Sequence, residues 1–300
     1  MSAFDDFLER NVKILTNIDA GEYKYIPRPE RPLPNINRIG EIVNLAKSIL
    51  FPGFFGNAEI INANALEYYT KLYIEKLYAL LNEQIYTSVC FSNKMDDMEK
   101  LSSELTIAFI DKLSEIKRLL ATDIKAVYDG DPAATNYEEV IFCYPAVRAM
   151  IHYRIAHQLL IMGIPVLPRI ITELAHAATG IDIHPGAKIG EYFSIDHGTG
   201  VVIGETCVIG SHVRLYQGVT LGAKGFKLDD KGIPLNIPRH PILEDNVIVY
   251  SNSTILGRIT IGHHTVIGGN IWQVNSVPPY SRIIQKKAVT SSSFSDGSGI

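Results

Sequence analysis

His197, which stands between an aspartate and a glycine, is the residue of this sequence best suited to acid–base chemistry. Near neutral pH, a histidine can take the proton from a hydroxyl group while that oxygen attacks an electrophile. A carboxylate on the second ring nitrogen fixes the tautomer and stabilises the imidazolium ion. Asp182 stands fifteen residues before His197 and can supply this carboxylate from an adjacent part of the fold.

Charged residues of both signs accompany this histidine in the sequence. Asp131 and Asp196 carry negative charge that suits an ammonium group, whereas Arg239 and His240 add positive charge that suits a carboxylate. A small zwitterion with a nucleophilic hydroxyl group matches the whole set. The residue types therefore predict a transfer reaction onto the oxygen of such a molecule.

The elements that position these residues follow from a six-residue period, which fits neither an α-helix nor a plain strand. The period fits a chain that turns a corner after each short strand, so that one apolar residue per face points inward. Three faces close one coil, and twelve such positions predict about four coils of a parallel β-helix. The apolar positions are Ile183, Ile189, Ile195, Ile203, Ile209, Leu215, Leu221, Leu243, Val249, Ile255, Ile261 and Ile267.

Two register breaks interrupt this repeat. The step between positions 195 and 203 is eight residues, and the step between positions 221 and 243 is twenty-two. His197 lies in the first break, and Arg239 and His240 lie at the end of the second. Because long loops on a rigid repeat usually carry function, both breaks mark the candidate site.

The domain organisation follows from the change of period along the chain. Residues 1–180 carry apolar residues at helical spacing over 62–85, 98–127, 137–143, 146–162 and 168–178, with a break at Pro145, which predicts an all-α domain. The β-helix is expected over 181–277 and to end near Pro278 and Pro279. Residues 278–300 form a tail with a Ser/Gly-rich end, which is expected to be disordered. The chain is thus predicted to be α+β.

Composition and charge exclude several classes of protein. The chain has 300 residues, of which 46% are hydrophobic and 20% charged, as in a globular protein. A net charge of -4 without a long basic run argues against a nucleic-acid partner. The sequence shows neither a membrane span nor a signal-peptide core. Its three cysteines predict free thiols in a reducing compartment, so we expect a cytoplasmic protein.

Several motifs resemble the signature of the serine O-acetyltransferases, a family of hexapeptide-repeat acyltransferases. The resemblance implies an N-terminal helical domain followed by a left-handed parallel β-helix. It also implies transfer of acetyl from acetyl-CoA to the hydroxyl of L-serine, the first step of cysteine biosynthesis, with no tightly bound cofactor and no metal. The motifs are Asp131-Pro132-Ala133, Asp182-Ile183-His184-Pro185, Ile195-Asp196-His197-Gly198-Thr199-Gly200, Val202-Ile203-Gly204-Glu205-Thr206 and Arg239-His240-Pro241.

The resemblance also implies roles for individual residues. It makes His197 the general base and Asp182 its partner. Serine binding is implied for Asp131, Asp196, Arg239 and His240, and acetyl-CoA binding for Gly222, Ala223, Lys224 and Ser251. In this family the site lies between neighbouring subunits, which implies a homotrimer or a dimer of trimers. The C-terminal Ile300 is implied to enter the active site of cysteine synthase.

Three other functions stay open on the residues alone. The same fold can acetylate a sugar or another amino alcohol, although a neutral sugar has no charged ends to match Asp131 and Arg239. A β-helical carbonic anhydrase would need three histidines on one metal ion, for which His184, His197 and His240 can be proposed. A β-helix can also be a scaffold without catalytic activity.

Overall fold

Helices make up the N-terminal part of the chain, as the sequence predicts. The computed structural model describes residues 2–16, 32–56, 62–92 and 97–286. Within these ranges eight helices precede the first strand: α1 (Ala3–Leu15), α2 (Ile36–Leu50), α3 (Ala63–Ser92), α4 (Met98–Asp111), α5 (Leu113–Gly130), α6 (Tyr137–Cys143), α7 (Pro145–Ile161) and α8 (Leu167–Thr179). None of them is both long and apolar enough to cross a membrane.

Two details of the helical part differ from the sequence prediction. The helices α1 and α2 were not predicted. The continuous helix expected over 98–127 is divided at Lys112, because α4 packs mainly against α3 whereas α5 packs mainly against α7. The helical part ends at Gly180, which caps α8 in the left-handed conformation with φ of 69°.

The rest of the described chain is a parallel β-solenoid of about five turns, consistent with the predicted left-handed β-helix. Its three faces are sheet I (β1, β4, β7, β10, β13), sheet II (β2, β5, β8, β11) and sheet III (β3, β6, β9, β12, β14). The strands are β1 (Asp182–Ile183), β2 (Lys188–Ile189), β3 (Ser194–Asp196), β4 (Val202–Ile203), β5 (Val208–Ile209), β6 (Arg214–Tyr216), β7 (Thr220–Gly222), β8 (Ile242–Leu243), β9 (Ile248–Val249), β10 (Thr254–Leu256), β11 (Thr260–Ile261), β12 (Val266–Ile267), β13 (Trp272–Gln273) and β14 (Arg282–Ile283).

The strand register shows what the two sequence breaks do. Asp182 pairs with Val202, twenty residues on, whereas Val202 pairs with Thr220 after the regular eighteen. Thr220 then pairs with Thr254, so the second break inserts an excursion without disturbing the stacking of the coils. The predicted apolar positions all point inward, and each is at most 8% exposed.

The β-helix is longer than the sequence predicts. Beyond Ile267, β13 adds to sheet I and β14 adds to sheet III, so that the solenoid has about five coils rather than four and continues past residue 277. The six-residue pattern fades because the last step, from Val266 to Arg282, is sixteen residues. The chain from residue 287 onward, with Ile300 and the end expected to be disordered, lies outside the described residues.

A buried ion pair joins the helical part to the first coil. Arg154 of α7 contacts both carboxylate oxygens of Asp123 on α5 at 3.0 Å, and both side chains are at most 4% exposed. Arg154 also donates to the backbone carbonyls of Ile189 and Gly190, while Asp123 accepts from the Phe193 amide. These contacts fix the helices against the coil that carries His197.

We expect Arg154→Met to lower the free energy of unfolding by about 3–5 kcal/mol, because it leaves the buried Asp123 carboxylate without its cation. Thermal and denaturant unfolding of the two proteins would measure this loss. The control is Arg118→Met, since Arg118 is half exposed in its pairs with Glu115 and Glu191. That change should cost no more than about 1 kcal/mol. Equal losses of stability in the two variants would contradict a stabilising role of the buried ion pair.

Candidate active site

The first register break forms a widened corner between sheets III and I. Strand β3 ends at Asp196, and His197 follows in the left-handed conformation with φ of 57°. Gly198 also has a positive φ, and a Cβ atom there would lie 2.5 Å from Cδ1 of Ile181. Only glycine fits such a close approach. The extra residues hold the His197 side chain out of the coil, and it is 73% exposed.

One carboxylate lies beside this histidine, and a second is close enough to feel its charge. The Nε2 atom of His197 lies 3.8 Å from Oδ1 of Asp196. Asp131, at the end of α5, accepts hydrogen bonds from the Tyr144 hydroxyl at 2.6 Å and from the Ala133 amide at 2.8 Å. These bonds lower the pKa of Asp131, and the charge of His197 lowers it further. Asp131, Asp196 and His197 therefore form one acidic corner with an ionised carboxylate held in place.

Tyr144 is a site residue that the sequence analysis missed. Its bond to the Asp131 carboxylate raises the pKa of Tyr144 to about 12, so the phenol stays protonated and donates. Tyr144 precedes Pro145, which begins α7, and its conformation is extended. A residue before a proline is pushed out of the helical region. The break predicted at Pro145 is therefore confirmed between α6 and α7, but no spacing in the sequence shows the contact with Asp131.

Asp182 begins β1 of sheet I, next to the same corner. The backbone beneath the turn is paired, since Gly180 O accepts from Gly200 N and Asp182 N donates to Val201 O. Within the described residues, no hydrogen bond or ion pair joins Asp182 to His197. The pairing of His197 with Asp182 as base and partner thus stays a prediction.

Arg239 and His240 lie at a different corner, between sheets I and II. The Arg239 guanidinium contacts Oε2 of Glu205 at 2.7 Å, and the Arg239 amide donates to Oγ1 of Thr206 at 2.9 Å. Its Nε atom is buried without a hydrogen-bond partner among the described residues. The end of the long excursion is therefore fixed to the loop after β4, and the guanidinium keeps an unused donor.

His240 is held as a neutral imidazole at this second corner. Its Nδ1 atom accepts from the Thr206 amide at 3.0 Å, which leaves the ring proton on Nε2. Burial and the nearby Arg239 charge lower the pKa of His240 to about 4. Near neutral pH the ring can therefore donate a hydrogen bond from Nε2 without carrying a charge.

Gly204 makes room for this histidine ring. A Cβ atom at Gly204 would lie 2.1 Å from Cδ2 of His240, so Gly204→Ala must displace the ring. We expect a loss of about 1–3 kcal/mol in unfolding free energy, measured by thermal denaturation. The control is Gly225→Ala, because a Cβ atom there meets nothing within 4 Å. A Gly204→Ala protein as stable as this control would contradict the placement of His240.

The residues predicted to bind acetyl-CoA do not share one surface within the chain. Gly222 ends β7, and Ala223 and Lys224 follow it at the corner between sheets I and II. Lys224 lines a cleft of about 270 Å³, together with Lys227, Leu235, Ile237, Arg239 and Arg258. Ser251 lies instead at the corner between sheets III and I, where Asn270 N donates to its carbonyl.

Metal binding has weak support in the described residues. Among these residues, one set of side chains has its possible ligand atoms within 4.8 Å of one another: Glu173, His176 and Asp182. The three histidines considered for a carbonic anhydrase do not form such a group, because His184 and His240 lie at the corner between sheets I and II and His197 lies at the other.

The chemistry is thus divided between two corners of sheet I. The acidic corner holds Asp131, Asp196 and His197, and the cationic corner holds Arg239 and His240. Among the described residues, no hydrogen bond or ion pair connects the two groups. Neither corner alone offers both the base and the full set of charges that a zwitterion needs.

A six-residue repeat, a parallel β-helix and a histidine at a widened corner are the features of a hexapeptide-repeat acyltransferase. No protein-family model matches the chain. The chain is 46% identical over 278 residues to a plasmid-encoded serine acetyltransferase of Synechococcus elongatus, covering 90% of this chain and 86% of that protein. The chain belongs to the serine acetyltransferase family.

Solved structures give the same result. Serine acetyltransferase 1 of Entamoeba histolytica, in complex with L-cysteine, superposes with a TM-score of 0.72 at 33% identity. The match covers 95% of this chain and all of that one. Serine acetyltransferase of Brucella abortus, in complex with coenzyme A, has a TM-score of 0.53 at 25% identity and covers 78% of this chain and 90% of that one.

Proposed function

We propose that this protein transfers the acetyl group of acetyl-CoA to the hydroxyl of L-serine and releases O-acetyl-L-serine and CoA. Family membership supports the reaction class. The observation that carries the choice of acceptor is the acidic corner, where an exposed imidazole stands beside Asp196 and close to Asp131. These carboxylates suit the ammonium group of an amino acid whose hydroxyl meets His197.

In the proposed mechanism, His197 takes the proton of the serine hydroxyl as its oxygen attacks the thioester carbonyl. The tetrahedral intermediate then collapses, the carbon–sulfur bond breaks, and the imidazolium returns the proton to the departing thiolate. Asp131 and Asp196 hold the ammonium group. Arg239 and the Nε2–H of His240 hold the carboxylate, and Asp182 orients the base.

We further propose that two chains build each site. The acidic and cationic corners lie on either side of sheet I, so the acidic corner of one chain can meet the cationic corner of a neighbour around a threefold axis. Such a closed ring has three identical heterologous interfaces and three sites. A trimer, or two trimers joined by their helical parts, would give every site both sets of charges.

The cleft beside Lys224 is the proposed binding surface for acetyl-CoA. It combines cations for phosphates with an apolar wall from Leu235, Ile237 and Leu256 for the pantetheine arm. The crystal structure of the Brucella abortus relative with coenzyme A supports acetyl-CoA as the donor. Gly222 and Ala223 lie next to this cleft, and Ser251 would reach the same ligand from the neighbouring chain.

Release of CoA thiol from acetyl-CoA, followed with a set of acceptors, tests the proposal. We expect turnover with L-serine, much less with ethanolamine, which lacks the carboxylate, and none above background with a neutral sugar. Mass spectrometry should identify O-acetylserine. Turnover that favours the sugar would support the alternative acceptor class, and a protein inactive with every acceptor would support the scaffold.

L-cysteine should compete with L-serine, because it differs only by sulfur in place of oxygen. The Entamoeba histolytica relative was solved in complex with L-cysteine. Initial rates at several concentrations of both amino acids distinguish competition from a separate inhibitory site.

The C-terminal residue is the proposed contact with cysteine synthase. Ile300 lies outside the described residues, so this proposal depends on the sequence. A terminal carboxylate can mimic that of an amino-acid substrate, and the isoleucine side chain can bury apolar area. In a titration of cysteine synthase, we expect the full chain to bind and a chain lacking Ile300 to lose binding. The control is Ser295→Ala, which should bind like the full chain. If the full chain and the chain lacking Ile300 bind equally, or if neither binds, the result would contradict this role.

We also propose a reducing compartment, the cytoplasm, for the protein. All three cysteines, Cys90, Cys143 and Cys207, are free thiols in the structure.

A further inference from the structure

A cleft of about 290 Å³ lies in the helical part and shares one lining residue, Tyr144, with the pocket at the acidic corner. Its walls come from α2, the 51–56 turn, α6, α7 and the end of α8. The lining combines cations with aromatic and aliphatic groups: Lys47, Phe55, Phe142, Tyr144, Arg148 and Ile151. None of the mechanistic steps uses this cleft.

Its two cations have no acidic partner among the described residues. Lys47 Nζ lies 4.1 Å from the centre of the Phe55 ring, and Arg148 projects from the first turn of α7. In the part of the chain that the structure describes, no carboxylate lies within 4 Å of either group. Two cations near each other without a carboxylate form a place where an anion gains energy from both.

Lys47 is half-buried in this wall, whereas Arg148 is exposed. Burial lowers the pKa of Lys47, and the charge of Arg148 lowers it further. His152 is next to both, and burial together with their charges lowers its pKa to about 4. A half-buried ammonium group such as that of Lys47, which has no carboxylate beside it among the described residues, would be stabilised by a bound anion.

We propose that this cleft binds a small organic carboxylate with an apolar body. The carboxylate would lie between Lys47 and Arg148. The body would pack against Phe55, Phe142 and Ile151, because Phe55 and Phe142 already meet edge to face with ring centres 6.1 Å apart. An inorganic anion would contact the two cations but leave the apolar side chains without a partner.

The ligand would affect the serine site through Tyr144. This side chain lines both the cleft and the small pocket that contains Asp131 and Asp196. Its hydroxyl holds the Asp131 carboxylate. A ligand that shifts Tyr144 would change the KM for serine, a consequence that rests on the proposed function.

Isothermal titration of the full-length protein tests the binding step without any assay of activity. The probe is phenylacetate, and the comparison probes are 2-phenylethanol, which lacks the charge, and inorganic phosphate, which lacks the body. We expect phenylacetate to bind at least about tenfold more tightly than either, because a charge-assisted contact and the apolar contact each contribute. Lys47→Met and Arg148→Met should each weaken it by about tenfold or more.

Matched variants separate this role from a structural one. Lys47→Arg should keep binding, and Lys117→Met, which removes an exposed lysine of α5, should leave it unchanged. Lys47→Met should melt no lower than the wild type, because it removes a buried charge. No binding of phenylacetate to the wild type, binding unchanged in both Met variants, or phosphate binding as tightly as phenylacetate would overturn the proposal. An unchanged KM for serine at saturating phenylacetate would overturn the link through Tyr144.

Discussion

Replacing His197 with alanine is expected to lower kcat for acetyl transfer by about 10²–10⁴-fold, the usual cost of losing a general base. The side chain is largely exposed and makes no buried contact, so the fold should survive the change. Steady-state kinetics with both substrates measures the effect, and thermal denaturation checks the fold. This is the largest effect expected of any single substitution.

The control for His197 is another histidine at a corner of the β-helix. His212 also has the left-handed conformation, with φ of 58°, and it stacks on Tyr192 away from both corners of the site. His212→Ala should leave kcat within about twofold of the wild type. If His197→Ala behaves like His212→Ala, the base is elsewhere.

Arg239→Ala is expected to raise the KM for L-serine by about 10- to 100-fold, because a charged hydrogen bond to the substrate carboxylate is lost. The KM for acetyl-CoA should change much less. The KM of Arg239→Lys for L-serine should lie between those of the wild type and Arg239→Ala, since lysine keeps the charge but loses the planar set of donors. Kinetics with each substrate varied in turn gives both constants.

Lys231 provides the comparison for Arg239 within the same excursion. Its side chain is exposed, and within the described residues it makes no ion pair. Lys231→Ala should leave both Michaelis constants near their wild-type values. An Arg239→Ala protein in which both constants rise equally would mean that the substitution disturbs the corner in general, rather than the recognition of serine.

The fold of the β-helix could be predicted because its period is local. Outside the two register breaks, the inward residues from Ile183 to Ile267 follow one another at steps of six, and the eight-residue step beside His197 is visible as an extra pair of residues. The end of the helix could not be predicted this way. Arg282 and Ile283 rejoin sheet III after a step of sixteen, and no hexad connects them to Ile267.

The candidate site was predicted as a set of residues but not as an arrangement. Residue types and order point to His197, Asp131 and Arg239. Which corner each one occupies depends on the length of the coil and on how the excursion rejoins it, and no spacing in the sequence shows this. Tyr144 was missed for the same reason, because its partner Asp131 belongs to another helix.

The most direct test of a serine site closed between two chains mixes two impaired variants at an L-serine concentration near the wild-type KM, where each variant alone is nearly inactive. If His197→Ala and Arg239→Ala chains assemble at random in equal amounts, about a quarter of the sites combine an intact acidic corner with an intact cationic corner. We therefore expect the co-expressed mixture to form O-acetylserine at about a quarter of the wild-type rate. Co-expression of His197→Ala with a chain that carries both substitutions should form no O-acetylserine above background, because no chain then has an intact acidic corner. A mixture no more active than the average of its two parents would contradict a site shared between chains.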